Sequence, residues 1–105
     1  MSAASFVAVW EFHVKPDSIS KFEEIYGPGG EWARLFRLSA DYRGTDLLRD
    51  ANRPGRYLTV DHWISREALQ KFKQEHHAEY SVLDQQCDHL TIAEVHLGDF
   101  ETTAG

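Results

Sequence analysis

Two segments, Phe6–Val14 and Arg56–Ile64, carry large apolar side chains on both parities of what reads as a β-strand, and this constrains the fold more than any other feature. In the first, Phe6, Trp10, Phe12 and Val14 share one parity while Val7 and Val9 share the other. In the second, Leu58, Val60 and Ile64 stand against Tyr57 and Trp63. Successive side chains of a strand point to opposite faces, so a sheet built on these segments needs cover on both sides.

Helices supply cover on one side. Lys15-Pro16-Asp17 closes the first strand, and Asp17 or Ser18 can cap a helix on which Ile19, Phe22, Ile25 and Tyr26 recur. Gly27-Pro28-Gly29-Gly30 must break it, because Pro28 lacks a donor and the glycines favour a non-helical backbone. A second helical piece resumes at Glu31, with Trp32, Leu35 and Phe36 on one face. Tyr42–Asp50 reads as a weaker edge strand, Asn52-Arg53-Pro54-Gly55 as a turn, and Arg56–Ile64 as the third strand. Ser65 is the cap of the next helix, with Glu67 in its first turn. Leu69, Phe72, His76, Tyr80, Leu83 and Cys87 then form a single apolar stripe, which predicts one helix. Leu90–Leu97 is the last strand, and the small polar tail after Phe100 is expected to fray.

The order β-α-β-β-α-β predicts an α+β, ferredoxin-like fold with a four-stranded antiparallel sheet. It forms one domain over 1–105, with an ordered core over about 5–100. The uncovered face would be an apolar patch of the kind monomers avoid. A second copy, packed sheet to sheet about a two-fold axis, is therefore expected, giving a homodimer through the open face.

Thirteen aromatic residues are a heavy allotment for so small a core and point to a pocket or an interface. Net charge is −6 and no Lys/Arg stripe forms, which argues against nucleic acid and anionic membrane as partners. The one cysteine, Cys87, excludes an intramolecular disulfide, suits a reducing compartment and reads as inert packing. Met1–Ser5 lacks the basic and apolar parts of a secretory signal, and no apolar run reaches the length of a membrane span. A cytoplasmic location is expected. Six histidines show no ligand spacing and His76-His77 splays apart on a helix, so no metal is expected. No Gly-rich nucleotide loop follows a strand either. No cofactor is expected, and an oxygenase built on this chain would use its substrate's own electrons.

Several stretches together resemble the antibiotic biosynthesis monooxygenase family of the dimeric α+β barrel group. They are Phe12-His13-Val14-Lys15-Pro16-Asp17, Tyr26-Gly27-Pro28 through Trp32-Ala33-Arg34-Leu35-Phe36, Tyr42-Arg43-Gly44-Thr45-Asp46-Leu47-Leu48, and Arg56 through Ser65. The acidic-x-Trp-x-Ser pattern at Asp61, Trp63 and Ser65 is the most specific of them. The resemblance implies two sheets packing as a dimeric α+β barrel. It also implies, among other chemistries, a cofactor-independent monooxygenase using dioxygen on a small phenolic, polyketide-like substrate. The haem-degrading branch of the family uses a first-strand Asn, and this strand offers Trp10 and Glu11 instead. A non-catalytic dimeric binder of small ligands would need the same fold and pocket but no base.

His76 and His62 are the candidate catalytic residues. His76 lies on the apolar stripe, where it is open both to a satisfied core role and to that of general base or haem ligand. Asp61 and His62 are neighbours on a strand and face opposite ways. If the parity of Leu58, Val60 and Ile64 faces the helices, His62 shares the cleft with His76, and Asp61 looks into the barrel interior with Tyr57 and Trp63. Both faces are apolar, so the sequence leaves that orientation open. Glu11 and His13 pose the same problem, with an inter-subunit salt bridge as the simplest answer. The candidate walls for a small aromatic ligand are Trp63, Trp10, Tyr80, Phe72 and Trp32, with Trp63 matching the family's strand-end Trp.

Overall fold

Strands β1 (Phe6–Val14) and β3 (Arg56–Trp63), the two segments apolar on both parities, are the two central strands of a four-stranded antiparallel sheet. The weaker strand β2 (Tyr42–Arg49) and the last strand β4 (Thr91–Glu101) take the edges, giving the order β2-β3-β1-β4. A computed structural model describes residues 5–103. Met1–Ala4, read above with Ser5 as lacking a secretory signal, and Ala104–Gly105, the end of the tail expected to fray, lie outside the described residues. The tail is held further than expected. β4 runs on through Glu101, and Thr102 and Ser5 exchange two hydrogen bonds, the Thr102 amide to the Ser5 carbonyl (2.9 Å) and the Ser5 amide to the Thr102 hydroxyl (2.8 Å).

Helices α1 (Ile19–Tyr26), α2 (Glu31–Phe36), α3 (Arg66–Glu75) and α4 (His77–Cys87) all lie on one face of this sheet, as the ferredoxin-like order requires. α1 is entered through a 3-10 turn, Pro16–Ser18, and neither Asp17 nor Ser18 caps it with a side chain. The Ser18 hydroxyl turns back to Asp17 instead. Ser65 does cap α3, accepting from the Ala68 amide at 3.1 Å. Between α1 and α2 the chain turns so tightly that a Cβ on Gly30 would sit 2.2 Å from the Ile25 carbonyl oxygen. Only glycine fits there. The Arg37 guanidinium donates to the Pro28 carbonyl and braces this elbow.

The single stripe expected from Leu69 to Cys87 is broken at His76, whose backbone (φ −119°, ψ 32°) leaves the helical region. The hydrogen bonds continue across the break, from the His76 amide to the Phe72 carbonyl and from the Tyr80 amide to the His76 carbonyl, both 2.9 Å. Apolar spacing therefore survives a bend that periodicity does not reveal.

Burial settles the orientation that the sequence leaves open. Tyr57, Thr59 and Trp63 of β3 are buried under the helices beside Phe6, Ala8, Phe12 and Val14 of β1. Leu58, Val60, His62 and Ile64 point to the open face with Val7, Val9, Glu11 and His13. Tyr57 helps to fasten α1 to the sheet: its hydroxyl donates to Glu23, which also accepts from Arg49 at 2.9 Å. On the open face, Glu11 has partners within its own chain. Its carboxylate accepts from Arg56 (2.9 Å) and lies 2.6 Å from His13, and Arg56 also bonds Asp50 (2.9 Å).

Candidate active site in the cleft between helices and sheet

The strand geometry hands the cleft one polar strip among its aromatics. Thr59 and Asp61 share the parity of Tyr57 and Trp63, so both look towards the helices, and Thr45 of β2 is the register partner of Asp61. The cleft over this strip holds about 470 Å³ of space, its open mouth included. Its aromatic lobe is walled by Trp10 and Phe12 of β1, by Tyr26 of α1, by Trp32 and Phe36 of α2, and by Tyr80 of α4. Thr45, Thr59 and Asp61 form its floor, with Asp84 and Glu94 beside them. A second lobe opens towards α3, where Arg66, Leu69, Gln70 and Lys73 face His96 and Asp99 of β4. Asp61, Trp10, Phe36 and Tyr80 belong to both lobes, which places Asp61 at their junction.

Asp61 is the group best suited to move a proton here. The Thr45 hydroxyl donates to its Oδ1 at 2.7 Å, and the Tyr42 hydroxyl lies 2.6 Å from the Thr45 oxygen. Thr45 has one proton to give, so Tyr42 is the donor in the second bond. Burial pushes the Asp61 carboxyl up to about 6, against the smaller opposing pull of Thr45, His62 and Lys73. Its side chain keeps contact with the cleft's own space while the surrounding protein excludes bulk water. Such a carboxylate is ionised at neutral pH and still basic enough to accept a proton. Tyr80 is pushed up to about 12, first by burial and then by Asp84, Asp61 and Glu94. Burial raises Glu94 as well, with Asp84 and Asp88 adding to it.

Trp10, Tyr80 and Trp32 are brought together around the cleft as ring walls: Trp10 stacks on His96 at 4.8 Å, and Trp32 meets Tyr80 edge-on at 5.0 Å. Trp63 and Phe72 are not at the cleft surface. Trp63 is fully buried behind it, packed on Phe36, Tyr42 and Phe72 with ring centroids 5.3 to 5.5 Å apart. Phe72 is 1% exposed. Neither histidine candidate reaches either lobe. His62 is on the open face, 2.9 Å from Asp46, because the strand parity is the reverse of the one that would bring it to the helices. His76 sits at the bend, its ring against Phe72 and its Nδ1 3.2 Å from Glu79.

The cleft residues missing from the sequence reading are the polar Thr45, Thr59, Asp84 and Glu94 and the aromatic Phe12, Tyr26 and Phe36, with Asp61 weighed only for the other face. One signal for the polar ones was available: Thr59 and Asp61 interrupt a parity otherwise filled by Tyr57 and Trp63, and Asp84 follows Tyr80 by one helical turn. Cys87 is buried at the end of α4, and burial holds its thiol above the usual range. Among the described residues, no three His, Cys, Asp or Glu side chains are placed to hold a metal ion.

The profile of the antibiotic biosynthesis monooxygenase family matches residues 5–81. The chain belongs to the antibiotic biosynthesis monooxygenase family. Solved structures agree with that fold. A single-residue mutant of SnoaB, a cofactor-independent oxygenase from Streptomyces nogalater, superposes with a TM-score of 0.73 at 17% identity, covering 97% of this chain and 94% of its own. Rv0793 from Mycobacterium tuberculosis gives 0.63 at 17% identity (98% and 96% covered), and PA3566 from Pseudomonas aeruginosa gives 0.62 at 15% (100% and 98%). At these identities the likeness is one of fold. A search of curated protein sequences finds no match. For this member of the antibiotic biosynthesis monooxygenase family, no helix among the described residues is long and apolar enough to cross a membrane.

Proposed function

We propose that this chain is a cofactor-independent monooxygenase that oxidises a small phenolic aromatic with dioxygen, and that Asp61 is its base. Family membership supports the reaction class. The observation that carries the reading is the raised Asp61 carboxylate on the floor of an aromatic-walled cleft, wired through Thr45 to Tyr42.

A substrate of anthrone type, with a ring methylene acidified by neighbouring phenol and carbonyl groups, stacks between the walls. Asp61 takes a proton from it. The resulting anion passes one electron to dioxygen, and the radical pair recombines as a peroxide at the former methylene carbon. Loss of water from that peroxide leaves a ring carbonyl. One oxygen atom enters the product and the other leaves as water, and the methylene supplies all four electrons, so no external reductant is required. The protein's part is orientation, exclusion of water and control of one proton. In the same proposal a second copy covers the open face of the sheet.

The test is oxygen uptake by purified, metal-depleted protein with an anthrone. Asp61→Asn should reduce turnover by about 10²-fold or more, the usual reach of a general base. His76→Ala and His62→Ala should leave it within a few-fold. A collapse in either histidine variant, with Asp61→Asn unaffected, returns the base to that histidine. If the anthrone binds and no variant or wild-type protein consumes oxygen, the chain is a binding module.

A further inference from the structure

Edge strand β4 carries a bulge where it passes Trp10. Val9 pairs with Gly98 and Trp10 with His96, so Leu97 is left over. Gly98 makes the irregularity possible with a φ of 152°, a value that favours glycine. Side chains three residues apart on a regular strand face opposite ways. The extra residue cancels that difference and brings His96 and Asp99 together on the helix side of the sheet, as register partners of Trp10 and Ala8. Bulges at sheet edges re-aim side chains in this way. His96 stacks on the Trp10 ring at 4.8 Å, and its Nε2 donates to Asp99 Oδ1 at 2.8 Å. A carboxylate only accepts, so this bond fixes the tautomer and leaves Nδ1 as the nitrogen that takes up and releases a proton. Among the described residues Nδ1 has no hydrogen-bond partner. Arg66 reaches the other oxygen of Asp99 at 3.4 Å, and all three side chains line the second lobe together with Asp61.

We infer that His96 is the acid of the oxidation, giving its Nδ1 proton to the outer oxygen of the peroxide as the O–O bond breaks; this rests on the function proposed above. Asp61 stands at the junction of the lobes, so a ring whose reacting carbon meets Asp61 can present its peroxide to either lobe. The polar groups of the aromatic lobe are hydroxyls and carboxylates, whereas the second lobe gathers Arg66, Lys73 and His96. An ammonium or a guanidinium holds its proton too firmly to serve near neutral pH, and imidazole exchanges one there. Protonated Asp61 first returns its proton to the peroxide anion, which makes the hydroperoxide and restores the base. Asp61 then takes the remaining hydrogen of the former methylene carbon as a proton. The electron pair of that C–H bond becomes the second bond of the carbonyl, and the O–O bond breaks. The outer oxygen leaves with its electron pair and the His96 proton as water. Carbon is oxidised, the outer oxygen is reduced, and no other reactant is consumed. The proton left on Asp61 returns to His96 through cleft water, which a side chain 42% exposed can reach.

The test runs single turnovers of an anthrone and quenches them into triphenylphosphine, which takes the outer oxygen of any hydroperoxide and leaves the alcohol. Alcohol then counts peroxide still intact, and quinone counts peroxide already collapsed. His96→Gln and His96→Phe, the second of which keeps a ring on Trp10, should each raise the alcohol-to-quinone ratio at least about tenfold. Both should retain the first step at Asp61, read without oxygen as exchange of the ring methylene with deuterated water above the enzyme-free rate. An unmoved ratio in either variant overturns the assignment. So does a loss of exchange that matches the loss of quinone, because His96 would then belong to the base or to the fold. Failure of the oxygenase reading looks different: the wild type itself would neither exchange the methylene nor consume oxygen, and the acid role would fall with it. Exchange and oxygen uptake in the wild type, with the ratio unmoved in the variants, refutes the acid role alone.

Discussion

Thr45 and Asp61 face each other across β2 and β3 as register partners, and the threonine hydroxyl donates to the aspartate at 2.7 Å. Among the described residues this is the one side-chain hydrogen bond to the cleft carboxylate, and it opposes the burial that raises it. Replacing Thr45 by Val should therefore raise the Asp61 carboxyl further and move the acid limb of the pH–rate profile to higher pH. Thr45→Ser should restore the wild-type limb. Tyr42→Phe should shift it in the same direction as Thr45→Val but by less, since Tyr42 acts through Thr45. A limb unmoved by Thr45→Val would detach Asp61 from the rate.

The same carboxyl should cost the fold stability at neutral pH. Its folded value of about 6 lies above its ordinary 3.8, so between those values the folded chain keeps a proton that the unfolded chain has lost. Stability then falls as pH rises through that window, and the penalty is complete above about pH 6. Asp61→Asn should raise unfolding stability by up to about 3 kcal/mol at pH 7.5 and by well under about 1 kcal/mol at pH 4. Urea midpoints at the two pH values check this. A loss of stability at pH 7.5 would mean that the carboxylate is better solvated than its surroundings imply.

How much of this was legible beforehand differs between elements for physical reasons. β1 and β3 were readable as strands that call for cover on both faces, because Phe6 and Trp10 share one parity while Val7 and Val9 share the other. That same richness erased the alternation that would have said which parity met the helices. Asp61 and His62 consequently exchanged faces relative to the arrangement weighed for His62 in the cleft. The Gly27–Gly30 break was legible because backbone sterics at Gly and Pro are local. The bend at His76 was not, because its flanking hydrogen bonds are helical and the spacing of Phe72, His76 and Tyr80 is unchanged by it.

Trp63 supports the site from behind rather than from its wall. Trp63→Leu should lower stability by about 3 kcal/mol, since it empties space among Phe36, Tyr42 and Phe72. Ligand affinity measured well below the new melting temperature should fall by no more than a few-fold. A large loss of affinity with stability intact would put the indole at the ligand after all.

The open face leaves Leu48, Ile64, Val95 and Phe100 exposed around the Val9–Val60 pair. Light scattering should give a particle of twice the 12.1 kDa chain at micromolar concentration. Val60→Lys, which places a charge at the middle of that face, should yield aggregation or unfolding. A 12.1 kDa particle for the wild type would end the two-sheet arrangement.

The elbow at Gly30 has a consequence for how such a cleft can diverge. Asp61, Thr45 and Thr59 are carried by the sheet, while Trp32 and Phe36 arrive on α2, whose position is set by how closely Gly30 passes the Ile25 carbonyl. Pro28 and Gly29 are exposed, and a Cβ on Gly29 would meet no neighbour. Residues added or exchanged at that outer corner would raise or lower the roof without disturbing a single strand hydrogen bond. In the proposed function, ligand size and proton chemistry would then be set separately, one at an elbow of four residues and the other on the sheet.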